Sequence, residues 1–62
     1  MIANFYKMKY GNYRNCELLV SRNIEHIPND SMFVEYIGQH FKIDRVYFNV
    51  DKCEYDIYMV RA

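Results

Sequence analysis

Sixty-two residues restrict the chain to one domain, 1–62, and a chain of that size buries only about 60% of the surface it exposes when unfolded. A hydrophobic fraction of 52% excludes a disordered chain, and a formal net charge of zero argues against a wholly basic nucleic-acid binder. The charge is nonetheless polarised. Lys7, Lys9, Arg14 and Arg22 outweigh Glu17 over residues 1–24 by +3, and the acids outweigh the bases over residues 25–62 by the same amount.

Residues Ile2–Tyr10 alternate as a strand, with Ile2, Tyr6, Met8 and Tyr10 on one face and Ala3, Phe5, Lys7 and Lys9 on the other. Gly11-Asn12 then predicts a hairpin turn. Arg14–Ile24 reads as the returning strand, with Cys16, Leu18, Val20 and Ile24 inward and Asn15, Glu17, Ser21 and Asn23 outward. Cys16, Leu19, Val20, Asn23, Ile24 and Ile27 also fit a helical face, but a strand gives the first strand a neighbouring partner. Ile27-Pro28-Asn29-Asp30-Ser31 is punctuation. Pro28 biases Ile27 to an extended conformation, and Asn29, Asp30 and Ser31 are good helix N-caps.

From Ser31 to Phe41 the period changes. Phe33, Tyr36, Ile37, His40 and Phe41 recur at spacings of three and four, which predicts a helix from near Ser31 to His40, held on a sheet by Phe33 and Ile37. Gly38 weakens that helix by about 1 kcal/mol relative to Ala. The rival is a hairpin of Phe33–Ile37 and Phe41–Val46 turning at Gly38-Gln39, which the β-branched and aromatic content favours. Phe41–Val50 and Glu54–Arg61 form the clearest hairpin, around the polar loop Asp51-Lys52-Cys53, with a bulge expected in residues 47–50. The expected fold is α+β, ββαββ, an antiparallel sheet with one helix packed on one face.

No motif carries chemistry. Cys16, Cys53, His26 and His40 lack the short paired spacings of a zinc site, so no metal or cofactor is expected. Cys16 with His26 or His40 is the one nucleophile–base pairing to name, and Cys16 reads as a core thiol. Asp51, Glu54 and Asp56 read as a solvated hairpin tip rather than a general acid–base pair. The chain is therefore read as non-catalytic. Both thiols are expected free in a reducing compartment, with a Cys16–Cys53 disulfide as the alternative. The N-terminal residues show no signal peptide, no run approaches a membrane span, and a cytoplasmic setting is expected.

Binding is the remaining class. Seven Tyr and four Phe are too many for a core under one helix, so some tyrosines must lie at the surface. Tyr6, Lys7, Lys9, Tyr10, Tyr13 and Arg14 interleave bases and rings about the first turn and are the expected partner-binding residues. They suit a protein partner, with Tyr and Arg as anchors, or single-stranded nucleic acid, with the rings stacking bases. An edge strand guarded by lysines is the bland reading. The apolar excess on so short a chain also predicts a homodimer.

The stretch Phe33-Val-Glu-Tyr-Ile-Gly-Gln-His-Phe-Lys-Ile-Asp-Arg-Val46, read as a helix running into a strand, resembles the layout of small bacteriophage early proteins that bind and disable a host factor. That resemblance implies a single sheet with one helix, and an inhibitor or antitoxin-like factor acting on a host protein in the host cytoplasm. Tyr36-Ile-Gly38 also resembles a turn of phage head-completion proteins, which implies a structural or assembly subunit. Neither resemblance assigns a functional residue.

Overall fold

The segments that alternate on a period of two all become strands, and so does the segment whose spacing suggests a helix. The computed structural model describes residues 1–10 and 12–62, the Tyr13 side chain excepted. Five strands run in chain order: β1 (Ile2–Lys9), β2 (Asn12–Asn23), β3 (Phe33–Tyr36), β4 (Gln39–Asn49) and β5 (Glu54–Arg61). They form one sheet in the order β2-β1-β5-β4-β3. β1 and β5 pair in parallel and the other neighbours pair antiparallel. The fold is therefore an all-β, mixed sheet, and the expected α+β layout, with its packed helix and purely antiparallel sheet, is corrected on both counts.

The helix fails because its stripe is not one face. Of Phe33, Tyr36, Ile37, His40 and Phe41, Phe33 is 68% and Ile37 80% exposed, whereas Phe41 is fully buried. Val34, absent from the stripe, packs against the core with Tyr36. Ile37 and Gly38 turn the chain with φ of 50° and 71°, both left-handed, as a two-residue I′ hairpin turn requires. Gly38 adopts that conformation at no steric cost. Asn29, Asp30 and Ser31 cap nothing. The Ser31 N–H donates to the Ile43 carbonyl and the Ile43 N–H to the Met32 carbonyl, both at 2.8 Å, so this segment prolongs the β3–β4 ladder.

Three register shifts among the described residues set the phase, one of them between Met8 and Lys9, whose partners step from Cys16 to Asn12. Phe5 pairs with Val20 and Tyr6 with Leu18, so Leu19 is an extra residue in β2. Ile43 pairs with Met59 and Arg45 with Tyr58, so Asp44 is extra in β4, upstream of the expected position in residues 47–50. The β2 bulge sends Leu19 onto the core and puts Leu18 and Cys16, both expected inward, on the face of Tyr6 and Met8.

Ala3, Phe41, Ile43, Ile57 and Met59 form the buried core. Burying each of the four larger side chains stabilises the fold by about 1.5–3 kcal/mol. Bulges bend and twist the strands that carry them. In a flat sheet β2 and β3 would lie roughly 19 Å apart, four strand spacings. Here Leu19, Val20 and Arg22 of β2 and Val34, Glu35 and Tyr36 of β3 line one apolar groove of about 190 Å³, floored by Phe5 and Met59. The sheet is thus curled around its core, with an open seam between its edges. Cys16 is half-buried, Cys53 is exposed, and both are free. Among the described residues no helix is long and apolar enough to cross a membrane.

Candidate protein-binding face

The curl divides the side chains into a concave set, which forms the core, and a convex set. Tyr6 of β1 and Tyr58 of β5 face each other in the ladder, and Tyr47 of β4 lies one strand further on the same face. Tyr6 and Tyr58 stack with centroids 5.1 Å apart and planes 16° apart. Tyr47 meets Tyr58 edge-on at 5.7 Å. Beside this row, Arg45 Nε donates to Asp44 Oδ2 at 2.8 Å and Arg45 Nη1 to the Tyr47 hydroxyl at 3.4 Å. Those two hydrogen bonds hold the guanidinium above its ordinary pKa.

On the other side lies a polar relay. Asn4 Nδ2 donates to Glu54 Oε1 at 2.9 Å and to Asp56 Oδ1 at 3.0 Å, and Ser21 Oγ donates to Asn4 Oδ1 at 2.6 Å. One amide thus holds two carboxylates on adjacent outward positions of β5. Burial, then Asp56, Cys16 and Glu54, push the Tyr6 hydroxyl above its ordinary pKa. Burial, then Asp56, Cys16 and the two neighbouring tyrosines, do the same to Tyr58. The hydroxyls remain protonated donors at neutral pH in a negative local field.

The expected site residues fall in different places. Tyr6 sits at one end of the convex row, stacked on the central Tyr58. Lys7 pairs with Glu17 on the opposite face of β1. Lys9 is exposed at the strand end opposite Asn12, and Tyr10, 97% exposed, lies beyond it at φ 56°. Arg14 is exposed, and its backbone N–H donates to Asn12 Oδ1 at 2.9 Å. Gly11 of the expected turn and the Tyr13 side chain lie outside the described residues. Sequence reasoning did not select Tyr58, Tyr47 or Asn4; the parallel β1–β5 joint that sets Tyr58 and Asp56 against Tyr6 and Asn4 spans nearly the whole chain, and Tyr47 joins them only through the β4–β5 hairpin. The alternation of Glu54–Arg61 sets Tyr58 on the face opposite Ile57 and Met59, and that is the one signal in the sequence that places it outward.

No described group of three or more His, Cys, Asp or Glu residues is placed to hold a metal ion. His26 and His40 are exposed, the former in the loop after β2 and the latter opposite Glu35 on β4. Neither contributes to the convex row. No protein-family model, curated protein or solved structure matches the chain.

Proposed function

We propose that this protein is a non-catalytic protein-binding module whose partner docks on the convex tyrosine row, in the manner of an inhibitor or antitoxin-like factor acting on a host protein in the cytoplasm. The observation that carries this reading is the Tyr6–Tyr58–Tyr47 row, partly exposed on the convex face of the sheet. Tyrosine anchors bury large amphipathic area at low entropic cost and are enriched in interface hot spots. Glu54 and Asp56 beside the row favour a partner that brings Arg or Lys to it. The same carboxylates weigh against a phosphate backbone on this face. Lys7, turned to the opposite side from Tyr6, weakens the stacking-plus-phosphate alternative further.

The test is affinity capture from nuclease-treated host lysate with the wild type, Tyr58→Ala and Lys9→Ala. Tyr58→Ala is expected to lose the captured protein and Lys9→Ala to keep it. Capture that nuclease abolishes, or that Lys9→Ala removes and Tyr58→Ala does not, would reverse the reading.

A further inference from the structure

β2 is a twelve-residue edge strand, and among the described residues β1 is its one neighbour in the sheet. We propose that it pairs antiparallel with β2 of a second copy of this chain, about a two-fold axis between Leu19 and Val20. Residues opposite each other in an antiparallel pair share a face, and a two-fold axis perpendicular to the sheet preserves faces. In a regular strand, residues an odd number of positions apart lie on opposite faces, so Glu17 and Arg22 could not oppose one another across such an axis.

The bulge at Leu19 removes that obstacle. Glu17 pairs with Lys7 and Arg22 with Ala3, and Lys7 and Ala3 share one face of β1. Glu17 and Arg22 therefore share a face as well, and both are exposed. In the register that sets Glu17 against the second copy's Arg22, Leu18 opposes Ser21, and Leu19 opposes Val20. Leu18 and Ser21 both belong to the convex face, beside Tyr6 and Asn4. Every pair matches in face, and the two opposed charges attract on both sides of the axis.

The groove fits the same occupant. Leu19, Val20 and Arg22 form one of its walls. A strand added to β2 in this register sets its own Leu19 and Val20 beside them, on the concave side. A volume of about 190 Å³ lies below the roughly 300–1,000 Å³ of small-molecule sites and suits aliphatic side chains. The bulge, which on a solitary edge would discourage pairing, here selects one register.

Sedimentation equilibrium on the wild type, Glu17→Arg, Arg22→Glu, their equimolar mixture and the double variant tests the proposal. The wild type is expected to dimerise. Each single reversal sets like charges against each other and is expected to raise the dissociation constant by about tenfold or more. The mixture and the double variant restore opposite charges and are expected to recover wild-type affinity. A wild type that stays monomeric at high micromolar concentration overturns the proposal, as do single variants that dimerise undiminished. Should a variant fail to fold, amide exchange on the wild type decides. Protection of β2 amides that rises with protein concentration supports the pairing, and protection that does not change refutes it.

Discussion

Ile37 is a β-branched residue held at φ 50°, and it is 80% exposed. A left-handed conformation costs an L-residue about 1–2 kcal/mol, and no burial offsets it here. Asn tolerates that region and is favoured in I′ turns. Ile37→Asn is therefore expected to stabilise the protein by about 1 kcal/mol, raising Tm by about 4–8 °C in a calorimetric scan. An unchanged or lower Tm would mean that the Ile37 side chain makes contacts which repay its strain. At the convex row, the raised pKa values of Tyr6 and Tyr58 carry a sign. A phenol whose folded pKa lies above its unfolded value adds stability below about pH 10, and loses it as pH rises through the folded value. Urea midpoints are thus expected to fall between pH 9 and the strongly alkaline range. The double variant Tyr6→Phe, Tyr58→Phe should fall less steeply, and equal slopes would count against the cause.

At the scale of elements, β3 and β4 give the sharpest contrast. Phe41 is fully buried, and truncating it to Ala is expected to cost about 3–5 kcal/mol. That approaches the whole stability of a domain this size, about 3–9 kcal/mol. Phe33 points outward, with the Lys42 ammonium 5.9 Å from its ring centroid. Phe33→Ala is expected to cost under about 1 kcal/mol, the worth of an exposed cation–π contact. Denaturant titration of the two variants separates this hairpin from a helix seated on Phe33 and Ile37, which would reverse the order. Four strands were legible from alternation because their inward residues, such as Ile57 and Met59, stand two apart. The third was legible only as the rival hairpin of Phe33–Ile37 and Phe41–Val46, because Phe33 and Ile37 are apolar yet exposed and complete a false helical stripe; its turn falls at Ile37-Gly38 rather than Gly38-Gln39. The β2 bulge likewise hid the outward placement of Leu18 and Cys16, since nothing in Glu17-Leu-Leu-Val-Ser21 marks which residue is the extra one. Tyr6 was among the residues singled out from the sequence, but its neighbours Tyr58 and Asn4 were not. Asp56 meets Asn4, as Tyr58 meets Tyr6, across a joint of residues 52 positions apart.

That long-range joint governs the whole molecule. β5, last in the chain, is the central strand of the sheet, bound to β1 on one side and β4 on the other. The β1–β2 and β3–β4 hairpins do not pair with each other, so each depends on β5 for its place in the core. An isolated two-stranded hairpin is marginal in water at best. The curled sheet nevertheless reaches a radius of gyration of 10.8 Å, close to the roughly 10.6 Å of an ordinary domain of this length, without a second layer. Ile57 and Met59, both on β5, are fully buried at its centre. A chain ending at Cys53 lacks both, and leaves the partner-facing edges of β1 and β4 open. It is expected to show no cooperative thermal transition by circular dichroism, while the full chain melts in one step. Adding a synthetic peptide of residues 54–62 in excess should restore a concentration-dependent transition. Cooperative melting of the shortened chain alone would show that the two hairpins hold each other without β5, contrary to the strand order.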